Sequence, residues 1–429
     1  MDKPRILLIS SASPLKGAGR VALDYYKAFK QEDYNIDFLT LYPVEGVAEI
    51  KYVYSKVPKL RKKINRFLYS ITGLRRTQPG YFFFYSLELL PPVPVRKVLR
   101  NLNDNYELIL ILFWQDLLSF KTVRRLFEIY HCQIHFMGVD YSQMSGGCHF
   151  TRECKRYEQG CGGCPAIFSN RIKDFTYFNV RYREKIYNLV HPVVYGNTYM
   201  LKYFYSFSYL LRKVNVEQSY DIFDMEEFHP MSKTELRLKF GIHPSKRFII
   251  FFGCQHLDDP RKGISYLLAS LDCFKELLNH EERESIQLIV AGNHFDLIAD
   301  KLSFSVLNLG FVDMKTMPEL YSLADVFLSP SIDDAGPMMV NQALCCGTPV
   351  VAFEMGTALE SIKDKPTGYC AKMKDVIDFA KGIETIYRLS EEKRMSIRNE
   401  CRQYSVNTFS YSARVRSIMN NYHKYEIIR

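Results

Sequence analysis

The sequence predicts an α/β protein made of two tandem domains, each built on a parallel sheet. At 429 residues the chain exceeds what one ordinary core supports. Short apolar runs alternate with longer amphipathic stretches, a pattern typical of β-α-β units. This pattern restarts after a polar connection at 219–242. We therefore predict domains at 1–220 and 221–429 with a ligand-binding cleft between them.

The strands of both sheets are predicted from apolar runs of five to seven residues, as expected for strands buried on both faces. In the first half they are 5–10, 36–41, 108–113 and 134–138. In the second half they are 248–253, 286–292, 306–311, 325–330 and 349–354. Open parallel sheets bind ligands beyond the carboxyl ends of their strands, so we expect the functional residues in the loops that follow.

The bulk composition is that of a globular enzyme, with 47% hydrophobic and 24% charged residues. The formal net charge of +10 favours an anionic partner, but no recognition motif supports nucleic acid. The apolar run that follows Arg5 is too short for a signal peptide or a spanning helix. We expect a cytoplasmic protein.

Two segments interleave basic and aromatic residues, 54–84 and 195–213. Such a composition suits peripheral contact with the inner membrane surface. It is equally compatible with an amphipathic helix packed on its own domain, and both interpretations stay open.

A glycine motif, G-x-G-x-x-[G/A], lies at 17–22. A nicotinamide-dependent oxidoreductase is disfavoured, because six residues separate the first strand from Gly17 and no ribose-binding acid follows the second strand. We interpret Gly17 and Gly19 as parts of a loop that lets backbone approach a ligand at a helix start. Gly253, at the end of a predicted strand, is a further candidate for ligand binding.

The stretch "SIDDAGPMMVNQALCCGTPVVAF" (331–353) predicts a helix whose first turn contains Pro337. Asp334 precedes the helix and Gln342 lies further along it. An acid, an anion-binding helix start and an amide match the hydroxyls and the diphosphate of a nucleotide sugar. Free N–H groups at the helix start are expected from Met338, Met339 and Val340.

A basic pair, Arg261 and Lys262, stands just before Gly263 at the opening of another predicted helix. Two adjacent cations there can neutralise a diphosphate and stabilise it as a leaving group. A solvated surface pair is the alternative, and the neighbouring glycine favours the functional interpretation.

These motifs resemble those of family 4 glycosyltransferases, which are retaining enzymes of the GT-B fold with two Rossmann-like domains. The resemblance is most specific over 309–356 and extends to "PRKG" (260–263), "KGAGRVALDYYKAF" (16–29) and "IFDMEEFHP" (222–230). It implies an acceptor-binding domain at 1–220 and a nucleotide-sugar donor-binding domain at 221–429, with a last helix that is a candidate to return to the first domain. The implied activity is transfer of a sugar from a nucleotide-diphosphate donor to a glycan or lipid-linked acceptor in cell-surface polysaccharide biosynthesis.

The resemblance also assigns residue roles. Asp334 and Gln342 match the family's pair of glutamates, and Arg261 and Lys262 match its diphosphate cations. Close relatives carry a His-Asp pair ahead of "TGGCHY". The aspartate corresponds to Asp140, a further catalytic candidate, whereas the histidine is replaced by Val139, which predicts that no imidazole is available there.

The departures from the family motif, Val139 and Gln342, motivate an alternative function: a non-catalytic nucleotide-sugar or glycan-binding protein on the same fold. The chain has no Asp-x-Asp tripeptide, so we expect no metal cofactor for catalysis.

A cysteine-rich insert at 146–165 places four thiols within seventeen residues. A structural zinc ion is one interpretation, and free thiols or a redox bridge are the others. His149 is an alternative ligand in the same insert. The four cysteines are Cys148, Cys154, Cys161 and Cys164.

Overall fold

The computed structural model describes residues 3–15, 19–44, 46–47, 49–54, 78, 81, 83–84 and 87–426. The chain divides into two compact units. Unit 1 is Met1–Ile222 together with Arg414–Arg429, and unit 2 is Phe223–Ala413.

Unit 1 contains a seven-stranded sheet whose strand pairs are all parallel, in the order β3-β2-β1-β4-β5-β6-β7. All four residues of β1, and likewise of β4, are fully buried because helices cover both faces of such a sheet. The four strands predicted in this half are present. The bounds are Ile6–Ile9 (β1), Ile36–Thr40 (β2), Lys51–Tyr52 (β3), Leu108–Ile111 (β4), Gln133–Phe136 (β5), Val193–Gly196 (β6) and Asn215–Gln218 (β7).

The helices of unit 1 include one from the end of the chain. This last helix contacts the sheet, where the Gln133 side-chain amide donates to the backbone oxygen of Tyr422 at 2.9 Å. Short 3-10 turns occur at Arg156–Gln159, Pro165–Ile167 and Tyr205–Phe207. The α-helices are Arg20–Gln31 (α1), Val95–Leu99 (α2), Phe120–Tyr130 (α3), Phe175–Val190 (α4), Thr198–Tyr203 (α5) and Tyr411–Glu426 (α14).

The aromatic segment 195–213 is only partly buried, and its buried aromatic residues lie in the interior of unit 1. Tyr195, Met200 and Tyr205 are each at most 2% exposed, whereas Phe207 is 57% exposed. The segment therefore packs on its own unit, as the second interpretation expects. Of the basic residues in 54–84, Lys59, Arg61, Lys62 and Lys63 lie outside the described residues. Within the described ranges, no helix is both long and apolar enough to cross a membrane.

Unit 2 contains a six-stranded parallel sheet in the order β10-β9-β8-β11-β12-β13. All five strands predicted in this half are present, and β8 runs three residues beyond its predicted end, so Gly253 lies inside the strand. The sixth strand was not predicted, because "GYCA" offers an apolar run of only three residues. The bounds are Phe248–His256 (β8), Ile286–Asn293 (β9), Ser305–Asn308 (β10), Val326–Ser329 (β11), Val350–Phe353 (β12) and Gly368–Ala371 (β13).

The helices of unit 2 cover both faces of this sheet. One of them also binds the segment at the start of the unit through Arg402. Arg402 donates to the backbone oxygens of Phe228 at 2.7 Å, Cys345 at 2.9 Å and Met225 at 3.1 Å. The helices are Lys233–Lys239 (α6), Ile264–Glu276 (α7), His280–Glu284 (α8), Met317–Leu323 (α9), Met338–Cys345 (α10), Ala358–Ser361 (α11), Val376–Tyr387 (α12) and Glu391–Phe409 (α13).

Candidate active site

The strand order of unit 2 reverses between β8 and β11, which lie side by side. At such a reversal the connections leave to opposite faces of the sheet and open a crevice at the carboxyl ends of the strands, the usual ligand site of open α/β sheets. The loops at this crevice are 257–263, after β8, and 330–337, after β11. These two loops contain the residues that the sequence predicts to bind a nucleotide sugar.

The two loops contact each other directly through their backbones. The Ile332 N–H donates to the Arg261 carbonyl oxygen at 2.8 Å. Gly263 has a φ of +67°, and a Cβ atom built there would lie 1.9 Å from the Pro330 oxygen. Only glycine permits both this backbone conformation and this close approach. Gly263 thus holds the basic loop, 257–263, against the acidic loop, 330–337.

Lys262 and Asp334 meet across the crevice. The Lys262 Nζ donates to Asp334 Oδ2 at 2.6 Å, although the two residues are 72 positions apart. The second carboxylate oxygen, Oδ1, accepts from the Gly336 N–H at 3.2 Å. The two side chains retain 26% and 15% of their accessible surface, so a ligand can reach them. The structure therefore brings together the predicted cation and the predicted acid.

Arg261 has a different partner. Its Nη2 and Nε atoms donate to the two oxygens of Asp259, at 2.7 Å and 3.2 Å. Burial raises the pKa of Asp259, but the hydrogen bonds and charge of Arg261 outweigh it and hold this pKa below its usual value. Sequence reasoning missed Asp259, although an acid immediately before "PRK" is a recognisable cap for the 3-10 turn Pro260–Lys262.

The start of α10 differs in detail from the prediction. Pro337 precedes the helix with a ψ of 97° instead of occupying its first turn. The Val340 N–H donates to the Pro337 oxygen at 3.0 Å, and Val340 is fully buried. Val340 is thus not a free donor, contrary to the prediction. Met338 and Met339 occupy the first turn, where backbone N–H groups have no partner within the helix.

Gln342 lies in the interior of unit 2, with 4% of its surface exposed. Its Oε1 accepts from the Tyr321 hydroxyl at 3.0 Å, so this oxygen contacts α9 and not an external hydroxyl as predicted. Burial raises the pKa of Tyr321, which keeps the phenol protonated as the donor. Periodicity alone did not reveal this pair, because the contact joins two different helices.

Of the predicted glycines, Gly19 lies at a close backbone approach and Gly253 is packed against side chains. Gly19 immediately precedes α1, and a Cβ there would lie 2.2 Å from the Ser13 oxygen. Gly253 faces the methyl group of Met339, 3.2 Å from a Cβ position. Gly17 lies outside the described residues.

In unit 1, Asp140 is fully buried and hydrogen-bonded to an imidazole after all. Its Oδ2 lies 2.7 Å from the Nδ1 of His149, while Oδ1 accepts from the N–H of Ser142 at 2.7 Å and from the hydroxyl of the same serine. His149 keeps 25% of its side-chain surface exposed. Position 139 itself supplies no imidazole, as its valine implies, but the ring of His149 lies beside Asp140 instead. Comparison of position 139 alone missed this imidazole, because His149 lies nine residues after Asp140 in the sequence.

The four cysteines of the insert line one small cavity in unit 1, together with Tyr157 and Thr176. A hydrogen bond with Cys164 and burial raise the pKa of Cys148 well above its usual value, while the same hydrogen bond lowers that of Cys164. Burial raises the pKa of Cys161 to about 12. The thiol of Cys164 is therefore the most acidic of the pair it forms with Cys148.

This donor set fits a structural zinc ion in type and number, since four thiolates can complete a tetrahedral shell. The hydrogen-bonded thiols of Cys148 and Cys164 lie close together, but the described cysteines of the insert do not form a compact group of three or more ligand atoms. Among the described residues, one group of three or more His, Cys, Asp and Glu has its ligand atoms within 4.8 Å of one another, and it contains none of these cysteines. Zinc binding would require the cysteine side chains to rotate, and it stays a prediction.

Among the comparisons of the whole chain with known proteins, the family match falls within unit 2. Residues 232–404 match the family model described as glycosyl transferases group 1. An uncharacterized glycosyltransferase of Methanocaldococcus jannaschii is 29% identical over 161 residues, which is 36% of this chain and 39% of that protein. The alpha-galactosylglucosyldiacylglycerol synthase of Streptococcus pneumoniae is 28% identical over 200 residues, 40% of this chain and 50% of that protein. The chain thus spans half or less of each of these relatives.

Solved structures align over the whole chain. The sucrose-phosphate synthase of Thermosynechococcus elongatus has a TM-score of 0.65 at 15% identity and covers 100% of both chains. The Anabaena protein HepE, in complex with UDP and glucose, has a TM-score of 0.58 at 16% identity and covers 98% of this chain and 100% of its own. The chain has the GT-B fold. At these identities the likeness shows the fold alone, because one fold supports many different activities.

Proposed function

We propose that the protein is a retaining glycosyltransferase of family 4. In this proposal it transfers a hexose from a nucleotide-diphosphate donor to a glycan or lipid-linked acceptor in cell-surface polysaccharide assembly. The observation that carries the proposal is the contact of Lys262 with Asp334 at the strand-order reversal of unit 2. The match of 232–404 to the group 1 family model and the relatives named as glycosyltransferases support the same reaction.

The Lys262–Asp334 pair suits the diphosphate and the sugar of a nucleotide sugar. A lysine ammonium is a point charge that binds phosphate oxygens, and a carboxylate accepts hydrogen bonds from sugar hydroxyls. In the absence of a ligand the two groups neutralise each other, and when a donor binds, each exchanges its partner for a group of the substrate. The first-turn N–H groups of Met338 and Met339 add a positive dipole end for the diphosphate.

The reaction needs no protein base. The acceptor hydroxyl attacks the anomeric carbon on the face from which the diphosphate departs. The bond from that carbon to the diphosphate breaks as the new glycosidic bond forms, and the hydroxyl proton moves to a diphosphate oxygen. The protein stabilises the negative charge that develops on the leaving group, which is the task of Lys262 and the helix amides. Asp334 orients the sugar.

The donor and acceptor classes are supported by named relatives. HepE is in complex with UDP and glucose, and the name of the Streptococcus pneumoniae relative is that of a glycolipid synthase. A lipid-linked acceptor would be presented at a membrane surface, where the basic residues of 54–84 would attract anionic lipids. Vesicle partitioning tests this point. Replacing Lys59, Arg61, Lys62 and Lys63 together by Gln should release the protein from anionic vesicles, and unchanged partitioning would remove the membrane role.

The transfer itself is tested with a panel of nucleotide sugars and an extract of lipid-linked acceptors. Lys262→Ala should lower turnover by about 10²- to 10³-fold, as expected when one charge-stabilising donor is lost. The matched control is Lys239→Ala, which breaks an exposed Lys–Glu pair of the same unit (Nζ to Glu319 Oε2, 2.6 Å) away from the crevice. The control should retain normal turnover and the same far-UV circular dichroism.

Near-normal turnover of Lys262→Ala would defeat the assignment of leaving-group stabilisation. Donor binding by the wild-type protein without transfer to any acceptor would instead favour the non-catalytic nucleotide-sugar or glycan-binding alternative. The contact of Tyr321 with the Gln342 oxygen is the observation that favours this alternative, because it occupies an oxygen that would otherwise accept from the ligand.

A further inference from the structure

Three potential metal ligands lie together at the carboxyl ends of two neighbouring strands of unit 2. His256 is the last residue of β8, Asp258 follows in the next loop, and His294 directly follows β9. The strands are parallel and paired as far as His256 and Asn293. The sheet therefore brings together side chains that are up to 38 positions apart in the sequence.

The ligand atoms of these three residues all lie within 4.8 Å of one another. The Nε2 of His294 is 4.0 Å from Asp258 Oδ1, and the two imidazole rings are stacked at 5.8 Å between centroids. Nitrogen and oxygen ligands at about 2.0–2.2 Å from a zinc ion are separated by about 3–4 Å. Small side-chain rotations close this difference. All three residues are exposed, so an ion has a direct path of entry.

The backbone beneath the cluster is held in place. The Leu257 N–H donates to the Asn293 oxygen at 3.1 Å, and the Asn293 side-chain amide donates to the Gln255 oxygen at 2.9 Å. The Asp259 N–H donates to the His256 oxygen at 3.2 Å. The two loops are thus fixed relative to each other, and an ion would bind to a scaffold that is already ordered.

We propose that His256, Asp258 and His294 bind a divalent transition-metal ion. Two imidazoles and one carboxylate favour borderline ions such as Zn²⁺, Co²⁺ or Ni²⁺, whereas Mg²⁺ and Ca²⁺ prefer oxygen ligands. Three protein ligands leave at least one coordination position open to water or an anion. Asp258 lies in the same loop, 257–263, as Lys262, but the metal site uses other side chains, and its test does not depend on the proposed glycosyl transfer.

Co²⁺ titration of the metal-free full-length protein tests this site, because absorption identifies the ligands. Thiolate ligands give an intense charge-transfer band, and imidazole and carboxylate ligands do not. The wild-type protein should bind one equivalent of Co²⁺ without that band, and the double variant His256→Ala/His294→Ala should lose this equivalent. The matched control His280→Ala/His423→Ala removes two other exposed histidines and should still bind the equivalent. Asp258→Asn should weaken binding at the same site.

Two results would overturn the proposal. One is a double variant that binds as many equivalents as wild type with equal affinity. The other is a lost equivalent that carries the thiolate band, which would assign the ion to the cysteine cavity of unit 1. Circular dichroism of the variants, which change only exposed side chains, verifies that the comparison is between folded proteins.

Discussion

Gly263→Ala should damage both the stability of unit 2 and its candidate site. The glycine has a φ of +67°, and the left-handed conformation costs a residue with a Cβ about 1–2 kcal/mol. The new Cβ would also lie 1.9 Å from the Pro330 oxygen, so one loop must move by about 1.5 Å to reach an ordinary 3.4 Å contact. Overpacking of this kind costs about 1–3 kcal/mol more. We expect a total loss of about 2–5 kcal/mol.

The control for this variant is Gly241→Ala. Gly241 has a φ of +64°, but a Cβ there would meet nothing within 4 Å. It therefore carries the same conformational cost without the collision, and should lose only about 1–2 kcal/mol. Urea unfolding of both variants measures the free energy of unfolding, and the difference between them isolates the collision with Pro330.

The same displacement should affect catalysis, because it moves the Lys262 ammonium away from Asp334. A misplacement of about 1 Å at a reacting centre costs about 10²-fold in rate. Transfer assays should therefore show a large loss for Gly263→Ala and none for Gly241→Ala. Equal stability and equal turnover of the two variants would refute the claim that this glycine holds the basic loop against the acidic one.

Three further predictions concern the contacts of other residues. His149→Ala should lower the transfer rate by about ten- to a hundredfold, because it removes a hydrogen bond to a charged group worth about 1.5–3 kcal/mol. UDP binding should stay unchanged, and His149→Gln should restore part of the rate. Arg402→Ala should lower the free energy of unfolding by about 3 kcal/mol, because three backbone oxygens lose a charged donor; a change under about 0.5 kcal/mol would contradict this. The lowered pKa of Asp259 stabilises the fold above the ordinary carboxyl pKa of about 3.9, and this contribution disappears as the pH falls through the lowered value. The stability difference between wild type and Asp259→Asn should therefore shrink in acid, and urea unfolding across pH measures it.

The sequence by itself determined the two α/β units, because most apolar runs of five to seven residues correspond to strands in the interior of a parallel sheet. All nine strands predicted in this way are present. Four strands were missed. Lys51–Tyr52 is two residues long and Asn215–Gln218 is mostly polar, whereas Val193–Gly196 and Gly368–Ala371 each offer only three apolar residues next to a glycine. The Lys262 and Asp334 positions were also identified from sequence, since each stands beside a recognisable helix start.

The tertiary structure alone decided which of these side chains meet. Lys262 reaches Asp334 but Arg261 binds Asp259, a choice set by side-chain geometry within one turn. Gln342 is held by Tyr321 from another helix, and His149 supplies the imidazole that position 139 lacks. Hydrophobic periodicity encodes burial and not the partner of a polar group. Partners of this kind are fixed only when strands and loops distant in the chain are placed side by side.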